Sequence, residues 1–213
     1  MDEVKRWFFD LKADEAIRNL TRHGFEAVAV PDRLSACKEM LRRIPRTKTV
    51  GVGGSVTIRE TGILDKLKEQ GNTLYDHWKP GIGIDESLEI RRAALSSDLY
   101  LGSSNAVTLA GEIVNIDGFC NRISSMAFGP KEVVIVVGKN KLVKDVPEAI
   151  ARIKNVAAPL NAKRLGVDTP CVKTGRCMDC DSPQRICIGT LVLERRPIPT
   201  NMVVILVQED LGY

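Results

Sequence analysis

Residues 49–62 read TVGVGGSVTIRETG, and the rest of the chain is read outward from this stretch. Valines alternating with glycine, and no charged residue, make a short strand of the buried type. Gly53 and Gly54 turn the chain, and Ser55 or Thr57 is placed to cap a helix expected to run to Leu67. Strand, glycine turn and helix in direct succession are the repeating step of an α/β fold.

The step recurs on both sides. Upstream, residues 2–23 form an amphipathic helix, with Val4, Phe8, Leu11, Ala16, Ile17 and Leu20 near helical spacing. Gly24 ends it, FEAVAV (25–30) is a strand, and Pro31 and Asp32 open a second helix carrying Leu34, Cys37, Met40 and Leu41. Downstream, TLYDHW (73–78) reads as a strand, followed by a glycine-rich loop and the helix DESLEIRRAALSS (85–97). DLYLGSSNAVT (98–108) and GEIVNIDG (111–118) read as two strands joined by a turn at Ala110–Gly111. A helix near Arg122 to Ala127, the strand EVVIVVG (132–138) and a long helix over 146–166 come next. GTLVLERR (189–196) and NMVVILVQE (201–209) close the chain as two strands split by Pro197 and Pro199. This alternation predicts an α/β fold with a mostly parallel sheet flanked by helices, a single domain over residues 1–213.

With 213 residues at 44% hydrophobic, the chain can bury a core without disulfides. A net charge of +4 is mild, and basic residues cluster only in LERRP and MLRRIPRTK. With 5% aromatic residues there is no base-stacking surface, so nucleic acid is not expected as a partner. The opening MDEVKRWFFD has early acids and no long apolar run, unlike a signal peptide. Apolar runs such as MVVILV (202–207) fall far below the roughly 20 residues of a spanning helix. No membrane is expected, and the expected compartment is the cytoplasm, where stable disulfides are rare.

Three constellations carry chemistry. At the first, Gly51, Gly53 and Gly54 let backbone approach a ligand, Ser55 and Thr57 add hydroxyls, and Glu60 projects from the same turns. The pattern is neither a full dinucleotide fingerprint nor a phosphate-loop lysine motif, so it names no cofactor, and a tight capped turn is the alternative. The second, residues 103–122, places Asn105, Thr108, Asn115, Asp117, Asn121 and Arg122 on strands that otherwise read as core. Buried polar groups need partners, so they form either an internal network or a ligand surface. Lys139 or Lys141, at the end of a strand, is placed to face an anionic substrate, with a solvated pair as the alternative. Glu60 and Asp117 are candidate bases, and His77 beside Trp78 is a candidate acid or base, weighed against a packing role.

The third constellation is sulfur. Four of the six cysteines lie within 17 residues, as Cys171, Cys177, Cys180 and Cys187. Four thiolates suit a tetrahedral Zn2+ or an iron–sulfur cluster; with a single C-x2-C knuckle, the flanking x5 and x6 gaps are loose for zinc and tolerable for a cluster, and free thiols or one disulfide are the alternative. Lys173, Arg176 and Arg185 would offset the charge of either.

The stretches VGVGGSVTIRETG (50–62), LGSSNAVTLAGEIVNIDGFCNRI (101–123), FGPKEVVIVVGKNKLV (128–143) and RICIGTLVLERRP (185–197), with VVILVQEDLG (203–212), resemble the LUD, or lactate utilisation, domain family. The resemblance spans nearly the whole chain. It implies the fold shared by glucosamine-phosphate deaminases, ribose-phosphate isomerases and CoA transferases, with the turn near Gly51 to Ser55 and the asparagine and aspartate strand ends lining a ligand crevice. It also implies organic-acid metabolism of the lactate type, a small anionic ligand, and partner subunits carrying iron–sulfur clusters. That context favours iron–sulfur over zinc at the cysteines. Two other readings stay open: a stand-alone enzyme on a sugar phosphate, carboxylate or CoA ester, and a non-catalytic module stapled by zinc.

Overall fold

A computed structural model describes residues 3–213; the expected start of the first helix at Asp2 lies outside them. Helix α1 (Glu3–Arg22) leads into strand β1 (Glu26–Val30), helix α2 (Arg33–Arg43) and strand β2 (Val50–Val52). Next come α3 (Val56–Glu60), α4 (Ile63–Gln70), β3 (Leu74–Asp76), α5 (Ile84–Leu95) and β4 (Leu99–Gly102). The middle of the chain holds β5 (Ala106–Thr108), β6 (Ile113–Asp117), α6 (Asn121–Ala127), β7 (Glu132–Gly138) and the two-residue β8 (Leu142–Val143). It finishes with α7 (Val146–Arg152), α8 (Ala158–Leu165), α9 (Pro170–Thr174), β9 (Gly189–Leu193) and β10 (Asn201–Val207).

Six strands form a wholly parallel sheet in the order β1-β10-β7-β4-β2-β3. Its central strands alternate faces with period two. Val134 and Val136 join Met40, Ile58, Leu67 and Leu99 on one side, whereas Val133, Ile135 and Val137 join Phe9, Leu20, Tyr100 and Met126 on the other. Both faces are therefore dry, as helices on each side of a parallel sheet require.

A second sheet, β8-β5-β6-β9, lies outside what the periodicity showed. The run 98–108 is not one strand. It leaves the parallel sheet after Gly102 and enters the second sheet at Ala106, where it pairs antiparallel with β6. Side chains carry the backbone across this crossing. Ser104 Oγ bonds the carbonyls of Ala106 and Val114, Asn115 Oδ1 accepts from the Asn105 amide at 3.0 Å, and Asn105 Oδ1 accepts from Ile116 N at 3.0 Å. The two C-terminal strands also part company: β9 pairs with β6, and β10 sits between β1 and β7.

Two helices differ from expectation. The helix after Ser55 breaks at Thr61–Gly62, where Gly62 takes φ 73° and the Thr61 hydroxyl bonds the Ile58 carbonyl at 2.7 Å. The long C-terminal helix is interrupted by a π turn over residues 153–157. Residues 166–188, with the four clustered cysteines, run between α8 and β9.

Candidate functional site

Because the large sheet is parallel, all its strands release the chain at one edge. There β2 gives way to Gly54–Ser55–Thr57, β3 to His77–Trp78, β4 to Ser103–Asn105, and β7 to a turn ending in Lys141. These residues meet the end of β6, the start of α6 and the end of α8 around a cleft of about 320 Å3. Of the residues singled out in the sequence, Gly54, Ser55, Thr57, His77, Asn105, Asp117, Asn121 and Arg122 line it. Gly51, Gly53, Glu60 and Lys139 are not in the lining.

The reasons are local. Gly51 lies against α5, where an added Cβ would meet the Ala94 carbonyl oxygen and Ser97 Oγ, each at 2.7 Å. Gly53 lies over the Tyr100 hydroxyl, which a Cβ would approach to 2.8 Å. Glu60 turns away to accept from the Gly212 amide at 2.8 Å. The short turn after β7 puts Lys141, not Lys139, on the floor of the cleft, with Lys141 only 3% exposed. Ser55 caps α3, accepting from Ile58 N at 3.3 Å.

Asp117 has structural partners. Its Oδ2 accepts from the backbone N–H groups of Arg122 at 2.9 Å and Ile123 at 3.4 Å, and its Oδ1 lies 3.5 Å from Arg122 Nε. It thereby holds the first turn of α6 and the Arg122 guanidinium in place. His77 is pushed down to about 4, first by burial and then by the Arg91 charge, so at neutral pH it presents a neutral imidazole. Its contribution to stability is present above its ordinary value near 6.5 and is lost as pH falls towards 4.

Several residues in and behind the cleft wall carried no signal of their own in the sequence. Trp78 lies between two guanidiniums, Arg59 at 4.0 Å and Arg164 at 4.3 Å from its ring centre. Arg91 lies 4.5 Å over Phe119, and its Nε is buried without a hydrogen-bond partner. Arg59 Nη2 donates to both oxygens of Asp76, at 2.8 and 2.9 Å. Arg91, Lys141 and Arg164 form no ion pair with a carboxylate among the described residues. Lys141 was a candidate in the sequence; only convergence marks Arg91 and Arg164, because isolated basic residues on a helix usually face water.

Gly54 separates the roles of these glycines. Its φ lies outside the left-handed region, and a Cβ there would come within 2.9 Å of Trp78 Nε1 and 3.2 Å of His77 Nε2. Gly54→Ala is expected to displace the indole from between its two arginines. Anion affinity should fall several-fold, with stability changed by less than about 1 kcal/mol. Gly51→Ala, which meets backbone instead, should lower stability more than affinity. Urea midpoints and anion titrations of the two variants check this, and equal effects on both readouts would sink it.

The clustered cysteines lie beside this cleft. Cys171, Cys177, Cys180 and Cys187 line one recess of about 30 Å3, and all six cysteines are free thiols. Arg185 ties the segment together, donating to the carbonyls of Cys187 at 2.9 Å and Cys180 at 2.6 Å and pairing with Asp179 at 3.1 Å. The Asp179 amide donates to Cys177 Sγ at 3.4 Å. Burial, and after it the nearby Cys177, pushes the Cys187 thiol up. Four soft sulfurs around one recess fit a soft metal as a donor set. Among the described residues, however, no three His, Cys, Asp or Glu side chains are arranged as they stand to hold a metal ion. Ala158, Arg185, Ile186 and Cys187 line both recess and cleft. Cys37 is buried in the core, and Cys120, with φ 60°, starts α6.

The sequence matches the LUD domain over residues 13–207. The chain belongs to the LUD domain family. No curated protein matches this LUD-domain chain. Among solved structures it is similar to a DUF162 family protein from Deinococcus radiodurans, at 14% identity and a TM-score of 0.53, over 95% of this chain and 98% of that one. At that identity the likeness is one of fold. No helix among the described residues is long and apolar enough to cross a membrane.

Proposed function

We propose that this LUD-domain chain binds a small organic anion in the cleft at the strand ends, as a redox-associated accessory protein of organic-acid metabolism. The observation that carries the reading is the set of cations with no carboxylate partner. Arg91 and Arg164 are held at the cleft wall, and burial pushes both below their ordinary values. Uncompensated buried charge is unfavourable, and an anionic ligand supplies the missing partner. Membership of a family named for lactate utilisation supports a carboxylate.

The four thiols are proposed to hold a metal or iron–sulfur group, closing on it from their present separation. Such a group would supply electron transfer or a structural staple, according to its identity. Lys173 and Arg176, exposed on the same segment, would face a partner subunit. The chain carries no nicotinamide or flavin fingerprint, so an oxidation would draw its acceptor from such a partner.

Anion binding is tested by thermal unfolding with lactate, pyruvate and phosphate esters at constant ionic strength. A ligand at a hundred times its Kd should stabilise the protein by about 2.7 kcal/mol, and Arg91→Leu should reduce that gain. No shift with any anion beyond that of sodium chloride would end the reading.

A further inference from the structure

Lys141 has an unusual set of neighbours for a buried lysine. Its Nζ donates to Thr57 Oγ1 at 2.7 Å and to Ser103 Oγ at 3.0 Å. Each hydroxyl spends its own hydrogen on a backbone carbonyl, Thr57 on Leu211 at 3.2 Å and Ser103 on Ser104 at 3.2 Å. Both therefore offer Nζ only lone pairs. Two N–H bonds and Cε fill three of the four positions on the nitrogen, and the fourth has no partner among the described residues.

What occupies the fourth position depends on charge. Burial disfavours the ammonium, as do the nearby Arg152 and Arg122, while Glu60 gives limited relief from beyond ion-pair distance. Arginine cannot release its proton in a protein, so the lysine is the member of this group that can. A neutral amine with two N–H bonds fixed by hydroxyls presents its lone pair at the remaining position. Arg122 completes the site: Nη2 is engaged with the Ile116 carbonyl at 2.8 Å, whereas Nη1 has no hydrogen-bond partner among the described residues.

We propose that Lys141 is a catalytic residue whose amine adds to the carbonyl carbon of a 2-oxo acid, with the substrate carboxylate held by Arg122. The inference rests on the anion-cleft reading and deepens it. The Nζ lone pair forms the N–C bond while the C=O π pair moves to oxygen, which takes a proton. Loss of that oxygen as water then leaves a protonated imine. Amine, carbonyl compound and one proton become iminium and water, with nothing oxidised or reduced. The iminium retains one N–H for Thr57 or Ser103. Activation of a lysine by burial among other cations is an established route to such a nucleophile.

The full chain would be incubated at neutral pH with glyoxylate or pyruvate and cyanoborohydride, then digested and examined by peptide mass spectrometry. At neutral pH an ordinary surface lysine holds less than about one part in a thousand of its amine in the free form. Reductive trapping should therefore favour Lys141 by at least about a hundredfold over surface lysines. Lys141→Arg should abolish the adduct, and anion stabilisation is read on the native chain with phosphate, which cannot form an imine, so the covalent step and binding are scored separately. Should that variant fail to fold, competitive labelling of the native chain with acetic anhydride reads the same amine, with a midpoint near 7 at Lys141. Adducts spread evenly over surface lysines, or a Lys141 labelling midpoint near that of an ordinary lysine, would overturn the proposal. A Lys141 adduct without any anion-induced thermal shift would instead remove the anion reading and keep the amine.

Discussion

Lys141→Met is expected to stabilise the protein at pH 6 relative to its stability effect at pH 10, by several kcal/mol. In the folded chain Lys141 is pushed down to about 7, first by burial and then by Arg152 on α7 and Arg122 on α6, against Glu60 on α3. The unfolded chain keeps the ordinary value near 10.4. Between these values the unfolded state binds more protons, so native stability rises with pH through this window. Below pH 7 the native protein carries the full penalty of a buried ammonium. Methionine has no such penalty at any pH. Of this shift, roughly three units fall between pH 6 and pH 10, and at about 1.4 kcal/mol each they put the change in the difference at roughly 4 kcal/mol. The loss of two hydrogen bonds moves the whole curve but not its slope. Urea unfolding of both proteins from pH 6 to 10 measures it, and parallel pH profiles would show that Lys141 is not held uncharged.

If the four clustered thiols hold a metal or cluster as proposed, Cys177→Ser is expected to strip it from protein purified without oxygen. If four thiolates share the group at about 2.3 Å per Zn–S bond, or hold an iron–sulfur cluster, loss of one opens the site. The energies are large: structural zinc contributes about 10–16 kcal/mol of apparent binding energy in small domains. The damage should stay local. The two cores that sandwich the parallel sheet contain none of these four cysteines, and only Cys187 packs at the edge of the third. Metal and sulfide analysis, with proteolysis of residues 171–187, reads both effects. Sulfide with visible absorbance identifies a cluster, zinc without sulfide a staple, and full metal retention by every single serine variant would refute shared ligation.

The parallel sheet was legible because its strands are short apolar runs punctuated by glycine and capping residues, signals that operate within a few residues. The second sheet was not. β5 lasts three residues, and its departure from the parallel sheet depends on Ser104, Asn105 and Asn115 bonding backbone across strands. Their polarity was visible; the cross-strand partners at Val114, Asn115 and Ile116 lie ten or more residues away. Asp117 shows the same limit: its place at a strand end was visible, but not that it accepts from the amides of Arg122 and Ile123.

By itself the sequence determined the strand–helix alternation, the crowding of four thiols and the family. Only the tertiary structure decided which charges act together. Lys139 and Lys141 are equivalent as letters, yet a single turn after β7 places Lys141 on the hydroxyls of Thr57 and Ser103. Arg91 and Arg164 come from helices more than seventy residues apart and meet at one cleft. Local patterns record what each segment buries; the field inside a cleft is a sum over segments that only the packed fold brings within reach of one another.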